Sequence, residues 1–202
     1  MGGYNAMCLT QKVIDAYLMQ DGKTIEEARA TGEYSETGNS RVLKYFSGYR
    51  LLRGTYNMYV NREMRFYACV GFNGCYWPAT SCTNANVRNQ TVYYYNGGNA
   101  GQQTAGSSQQ EQNKCITGYV LKKYIHPEDN WYNGDGSTRV NKVFPIIRYA
   151  EILLSYAEAI NHLQSSHTVT LPSGQTYTLS RNSNLDDMLF AFNQVRYRSG
   201  LP

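Results

Sequence analysis

Glu128, Asp129 and Asp135 fall within one short polar stretch. Two acids are the minimum equipment of a glycoside hydrolase, one to protonate the leaving oxygen and one to act as base or nucleophile. Carboxylates that are neighbours in a polar loop are usually just solvated, so this spacing supports no acid/base pair and no catalytic residue is assigned. A different chemistry is suggested by rings placed beside amides. Tyr76-Trp77 follow Asn73-Gly74, Tyr93-Tyr94-Tyr95 precede Asn96, and Trp131-Tyr132 stand between Asn130 and Asn133. An aromatic face accepts the apolar side of a pyranose ring, and adjacent amides bond the hydroxyls at its rim. The candidate ligand-binding residues are therefore Asn73, Tyr76, Trp77, Tyr94, Asn130, Trp131 and Tyr132. The competing explanation is that each ring plugs the underside of its own loop.

Other chemistries lack their residues. The 5 cysteines (Cys8, Cys69, Cys75, Cys82, Cys115) are an odd number with no Cys-x-x-Cys pair, which indicates neither a zinc site nor a full disulfide framework, and at most Cys75 and Cys82 are expected to pair. His126, His162 and His167 are too scattered to bind a metal together, and there is no Gly-rich phosphate loop or nucleophile elbow, so no metal and no cofactor is expected. The net charge of +4 comes from dispersed lysines and arginines, which argues against nucleic acid as a partner. No stretch reaches the roughly 18 apolar residues of a membrane span, and Met1-Gly2-Gly3-Tyr4 lacks the character of a secretory signal. Any address for export is expected in sequence outside this chain.

The elements that must position these residues are short. With 202 residues the chain is long enough for one domain with an apolar core, or for two small ones sharing an interface; one is the default, and residues 1–202 are read as one. Thr10 and the capping box of Thr24 with Glu27 open two short helices, separated by Asp21-Gly22, and residues 31–42 form a polar loop. From Met64 to Phe72 apolar residues alternate, which predicts a half-buried strand that ends at Asn73-Gly74 and delivers Cys75 to Pro78 into a loop. Residues 83–116 are rich in Asn, Gln, Gly and Ser and read as a surface excursion with one strand near Val92. Gly118 to Tyr124 reads as a strand and His126 to Thr138 as a loop.

Two longer helices close the chain. One begins after Pro145 and runs to about Asn161, with Arg148, Glu151, Ser155, Glu158 and His162 on a polar stripe and apolar residues around the rest. It is expected to be buried on nearly all sides, with Arg148, Glu151 and Glu158 forming structural salt bridges to a neighbour. The other runs from Leu185 to about Ser199, capped by Ser183 with Asp186 and stopped by Gly200. Between them, residues 167–179 read as a hairpin around Pro172-Ser-Gly174. The helix pair 146–199 thus resembles one helical-repeat unit with a hairpin inserted at its turn.

The composition joins 19 Tyr and 18 Gly to 6 Phe, with a mean hydropathy of -0.54. Tyrosine suits surfaces that stack on polar ligands, and it also replaces phenylalanine in a wet core. Both readings stand at this point.

Five blocks in order resemble the SusD/RagB family and cover nearly the whole chain. They are Asn61-Arg-Glu-Met-Arg-Phe-Tyr67 with Asn73-Gly74 and Trp77; Gly118-Tyr119 with Lys122-Lys123-Tyr124; Pro145-Ile-Ile-Arg148-Tyr-Ala150-Glu151 through Ala159; Asn193 through Arg198 to Gly200-Leu201-Pro202; and, at the start, Gln11 to Lys23. Met64 stands where the family usually has proline, and Ser199 where alanine is common. Such proteins carry a long helical-repeat region first and continue past Gly-Leu-Pro, so the chain resembles a carboxy-terminal segment. The resemblance implies an α+β fold, mainly α, with a TPR-like helix pair, short strands and long irregular loops. It also implies a protein that is not an enzyme: a lipid-anchored binder on the extracellular face of the outer membrane. Such a binder captures glycan for a SusC-like TonB-dependent transporter, and its anchor is absent from this chain. In this family the helical repeats serve packing and transporter contact rather than sugar binding. The rival readings are peptide capture by the same architecture, a helical-repeat scaffold without ligand, and a glycoside hydrolase.

Overall fold

A computed structural model describes residues 8–41, 43–46, 49–86, 88–95, 97–100, 115–130, 136 and 138–202, with backbone alone for 44–46 and 49–50. Where the sequence reads as one domain, contacts divide the chain into two compact units, Met1–Lys142 and Val143–Pro202. The architecture is α+β and mainly helical.

The first unit opens with α1 (Gln11–Asp15) and α2 (Ile25–Ala30). Thr10 occupies the N-cap of α1 without a side-chain bond, whereas Thr24 and Glu27 close the predicted capping box on α2. Short strands β1 (Lys44–Phe46) and β2 (Tyr49–Leu51) pair antiparallel. A 3-10 turn at Asn57–Tyr59 then leads to α3 (Met64–Cys69). The alternation from Met64 predicts a strand, and the structure corrects this. Phe66, Tyr67 and Val70 are all buried, a spacing of one and then three that lies on one helical face and on opposite faces of a strand. The strand character survives only in β3 (Val70–Gly71). Met64 thereby becomes the first residue of a helix. Proline is well tolerated there, because the first N–H of a helix has no intrahelical partner and the ring presets φ.

β3 pairs antiparallel with β6 (Val120–Leu121), and β4 (Cys75–Trp77) pairs antiparallel with β5 (Gln90–Val92). Cys75 to Trp77, expected in a loop, are therefore a strand. The reason is the Asn73-Gly74 turn: Gly74 takes φ +84°, and its N–H donates to the Val92 carbonyl at 2.8 Å, which extends the ladder. Cys75 and Cys82 are both buried free thiols rather than a bridged pair.

One cluster gathers Ile14, Leu51, Tyr59, Phe66, Tyr67, Val70, Phe72, Cys75 and Tyr119, and another gathers Met19, Ile25, Ala28 and Tyr34. Met58 packs against both. Three tyrosines of the first cluster keep their hydroxyls partnered. Tyr67 donates to the Tyr59 carbonyl at 2.6 Å, Tyr59 to the Tyr119 hydroxyl at 3.3 Å, and Tyr119 to Gln11 Oε1 at 2.9 Å. For these residues the tyrosine surplus is core chemistry.

Arg62 and Glu63 are each about 1% exposed. The Arg62 guanidinium donates to the carbonyls of Ile14 (2.6 Å), Tyr17 (2.8 Å) and Met58 (3.2 Å) and lies 4.8 Å from the Phe66 ring centre. Glu63 accepts from the Leu18 N–H at 2.9 Å and from Arg65 Nε at 2.6 Å. Both side chains thus tie the entry of α3 to the end of α1.

The second unit holds α4 (Tyr149–His162) and α5 (Leu185–Arg198), joined through the antiparallel hairpin of β7 (His167–Thr170) and β8 (Thr176–Leu179). The hairpin falls where predicted, with Gly174 at φ +82°. Three expectations are corrected. First, α4 starts at Tyr149 instead of just after Pro145, behind an extended Arg148. Second, Asn184, not a Ser183–Asp186 box, stands at the N-cap of α5; Ser183 instead shares its hydroxyl with Ser180 at 2.6 Å. Third, α4 buries only Ala157 and Ile160 fully, because within its unit it packs on α5 along one face. Ile152 and Leu154 remain exposed on the helix, as do Ile146 and Ile147 ahead of it.

Replacing Arg62 by Ala should leave buried carbonyls unpaired as well as a cavity, and cost about 3 kcal/mol or more in urea unfolding. Arg62→Lys should also destabilise, because one ammonium cannot reproduce the planar fork that reaches these carbonyls.

Candidate ligand-binding site

The β3–β4 turn and its partner strands bring four of the candidate residues together. Asn73 Oδ1 accepts the Tyr94 N–H at 2.9 Å, which fixes the chain leaving β5 against the turn. Tyr76 pairs with Thr91 and Trp77 with Gln90 across the ladder. Successive residues on a strand face opposite sides, so Tyr76 and Trp77 present their rings to different surfaces. Both are half-buried.

Trp77 packs against the first core cluster. Gly71 is the reason it can lie so close to β3. A Cβ on Gly71 would fall 2.6 Å from Val120 Cγ2, 2.8 Å from Trp77 Cζ3 and 2.9 Å from the Tyr94 hydroxyl. Trp77 and Tyr94 therefore converge on the one position without a side chain. Burial pushes the Tyr94 hydroxyl well above the ordinary tyrosine range, so it stays a neutral phenol. The Lys122 ammonium donates to the Tyr76 carbonyl at 3.0 Å and stands 5.4 Å from the Trp77 ring centre. Lys122 is itself buried, and burial draws its pKa below the usual lysine value.

Asn130 belongs to the neighbouring loop. It is 3% exposed, and its N–H donates to the Thr138 carbonyl at 2.8 Å. That loop is tied to the segment just after Trp77: the Thr80 N–H donates to the Pro127 carbonyl at 2.8 Å, and the Ser81 hydroxyl to the Glu128 carbonyl at 2.7 Å. Trp131 and Tyr132, like Asn96, Asn133 and Asp135, lie outside the described residues.

Asp129 is the anchor of this loop. Its carboxylate accepts from Lys142 Nζ (2.6 Å), the His126 N–H (2.9 Å) and the Val140 N–H (3.0 Å). Burial alone would raise its pKa, but Lys142 and the two backbone donors outweigh this and hold it below the usual carboxylate range. A carboxylate held ionised in this way is a structural acceptor and a poor general acid. Among the described residues no group of three or more His, Cys, Asp or Glu is placed to hold a metal ion.

Gly71, Lys122 and Asp129 organise the site, and no sequence motif singles them out for these roles. A glycine interrupting an apolar run ahead of Asn73-Gly74 is the one local signal of close approach. Lys122 gives no signal, because its burial is set by a strand pairing distant in sequence.

The SusD family profile matches residues 1–202. The chain therefore belongs to the SusD family, whose members are in general glycan-binding nutrient-uptake proteins associated with the outer membrane at the cell surface. Among solved structures the chain is similar to the selenomethionine form of BT4246, with a TM-score of 0.67 at 20% identity over 100% of this chain. It is also similar to a SusD-like protein, BF3747, from Bacteroides fragilis NCTC 9343, with a TM-score of 0.58 at 25% identity over 99% of this chain. It spans 30% of the length of each of these two structures. Nothing among curated proteins matches it. Among the described residues no helix is long and apolar enough to cross a membrane.

Gly71→Ala should overpack the junction of Val120, Trp77 and Tyr94 and cost about 1–3 kcal/mol, read as a lowered urea midpoint with a change in Trp fluorescence. Asp129→Asn should cost about 1–3 kcal/mol at neutral pH. The folded pKa of Asp129 is depressed, so its contribution is present above the unfolded carboxylate value and is lost as pH falls through the folded one. Urea midpoints of wild type and Asp129→Asn should therefore differ at pH 7 and converge in acid.

Proposed function

We propose that the protein to which this chain belongs binds oligosaccharide or polysaccharide at the cell surface and delivers it to a SusC-like TonB-dependent transporter. The observation that carries this reading is the family match across the whole chain. The cluster around β4 supplies a second, local argument. Tyr76 and Trp77 lie on β4, Asn73 in the turn before it and Tyr94 just beyond its partner strand β5, and Asn130 sits in the loop bonded to the next segment. Trp131 and Tyr132, which lie outside the described residues, are proposed as further stacking rings from their place beside Asn130 in the sequence. In this arrangement Trp77 works from a fixed position, since its ring is held by Gly71, Lys122 and the core, and a rigid ring loses little entropy when a sugar stacks on it. The protein is held at the outer membrane by a lipid anchor, and it turns nothing over.

Two measurements test this. In the full-length protein, Trp131→Ala should weaken binding of the cognate oligosaccharide about ten- to hundredfold by calorimetry, the worth of one stacking platform at about 1–3 kcal/mol by analogy with bases. Tyr76→Ala should weaken it less. Unchanged affinity in both folded variants would remove the site assignment and leave the family standing. Incubation with plant, host or storage polysaccharides should release no reducing sugar; release that disappears in Glu128→Gln would instead make the protein a hydrolase.

A further inference from the structure

Cys8 and Cys115 are separated by 107 positions, yet their Sγ atoms lie 3.8 Å apart. The meeting is enforced by backbone. Cys8 forms an antiparallel bridge with Val120, and the Leu9 N–H donates to the Tyr119 carbonyl at 2.9 Å. The chain between Cys115 and β6 is held by Thr117, whose hydroxyl donates to the Tyr119 carbonyl at 3.2 Å and accepts the Tyr119 N–H at 3.3 Å. Both thiols are half-buried beside the exposed Ile116 and Thr117, whereas Cys75 and Cys82 are sealed in the interior. We propose that Cys8 and Cys115 are a modification site: they form a disulfide that staples the chain ahead of α1 to the chain ahead of β6.

The thiols differ in the way the reaction needs. Burial raises Cys8, but the backbone N–H groups of Ile116 and Thr117 outweigh it, and its net shift is downward. Burial raises Cys115, reinforced by Cys8. Cys8 is therefore the thiolate that reacts first. It attacks one sulfur of an acceptor disulfide, such as an oxidised envelope oxidoreductase or oxidised glutathione, and releases the other acceptor sulfur as a thiolate. Cys115 then loses its proton to solvent and attacks Cys8 Sγ. This forms the Cys8–Cys115 bond and expels the second acceptor sulfur as a thiolate. The two electrons of the new bond's formation are thus carried by the acceptor, which leaves as two thiols once it takes up two protons. A small side-chain rotation brings the pair into bonding range. The oxidising surroundings rest on the cell-surface reading, and the chemistry of the pair does not.

The test is oxidation of the folded chain with oxidised glutathione, followed by alkylation under denaturant and mass spectrometry. The expected result is loss of two hydrogens, three of the 5 cysteines alkylated, and one crosslinked peptide pair containing Cys8 and Cys115. In Cys115→Ser the remaining Cys8 should stop at the mixed disulfide, gaining one glutathione. Closing so long a loop should raise Tm by about 5–10 °C over the reduced chain, and a Cys8→Ser, Cys115→Ser double variant should lose that sensitivity to reductant. Full alkylation after oxidation, a crosslink between other cysteines, or an equal reductant effect in the double variant would overturn the proposal. Because no glycan is present, a pair that closes in a protein without glycan affinity would leave this inference intact while removing the proposed function.

Discussion

The arrangement of the first unit depends on a guanidinium that scarcely meets solvent. A buried cation is tolerable only when most of its donors are satisfied, and the two terminal nitrogens of Arg62 achieve this with the carbonyls of Ile14, Tyr17 and Met58, while its Nε is buried without a partner. The first two lie at and just after the end of α1, where carbonyls run short of intrahelical partners; the Ile14 carbonyl also accepts the Tyr17 N–H at 3.3 Å. Arg62 therefore serves as the C-terminal partner of a helix far away in sequence. Its neighbour Glu63 reaches the Leu18 N–H in the same segment. The two adjacent charges leave the chain little freedom in how α3 enters, and α3 in turn presents Phe66, Tyr67 and Val70 to the core.

From that fixed entry the candidate site follows by short steps. Val70 and Gly71 continue α3 directly into a strand, the Asn73-Gly74 turn reverses it, and β4 returns carrying Tyr76 and Trp77. Gly71 admits Trp77 and Tyr94 against the backbone, while Lys122, delivered by the chain after β6, holds the Tyr76 carbonyl and sits by the Trp77 ring. The loop containing Asn130 is fastened from one side by Thr80 and Ser81 and from within by Asp129. A ring-based ligand site benefits from such immobility, because stacking energy is not spent on ordering the platform. The second unit has a different character. α4 and α5 bury a narrow shared face and leave large apolar side chains exposed, including Ile152 at 53% and Phe190 at 64%.

Much of the framework was legible in the sequence because it depends on local interactions. The Thr24–Glu27 capping box, the hairpin around Gly174, the turn at Asn73-Gly74 and the extent of α5 each involve residues a few positions apart, and each appears where the residues indicate. The ordered blocks from Gln11 to Pro202 also carried the family. What the sequence did not reveal were features decided by partners remote along the chain. Alternation from Met64 to Phe72 fits a strand as well as it fits α3, and only the buried contacts of Arg62, Glu63 and Tyr67 select the helix. The apolar circumference of α4 indicates a need for cover, but how much cover exists depends on what packs there. Cys75 and Cys82 have a plausible spacing for a bridge, yet the ladder with β5 fixes Cys75 inside the core as a thiol. Cys8 and Cys115, which no spacing rule would join, are brought together because an antiparallel bridge sets Cys8 opposite Val120. Sequence alone determined the local turns, the Thr24–Glu27 cap and family membership, since these depend on near neighbours and residue identity. The tertiary structure decided which side chains meet, because burial and long-range pairing are properties of the folded chain.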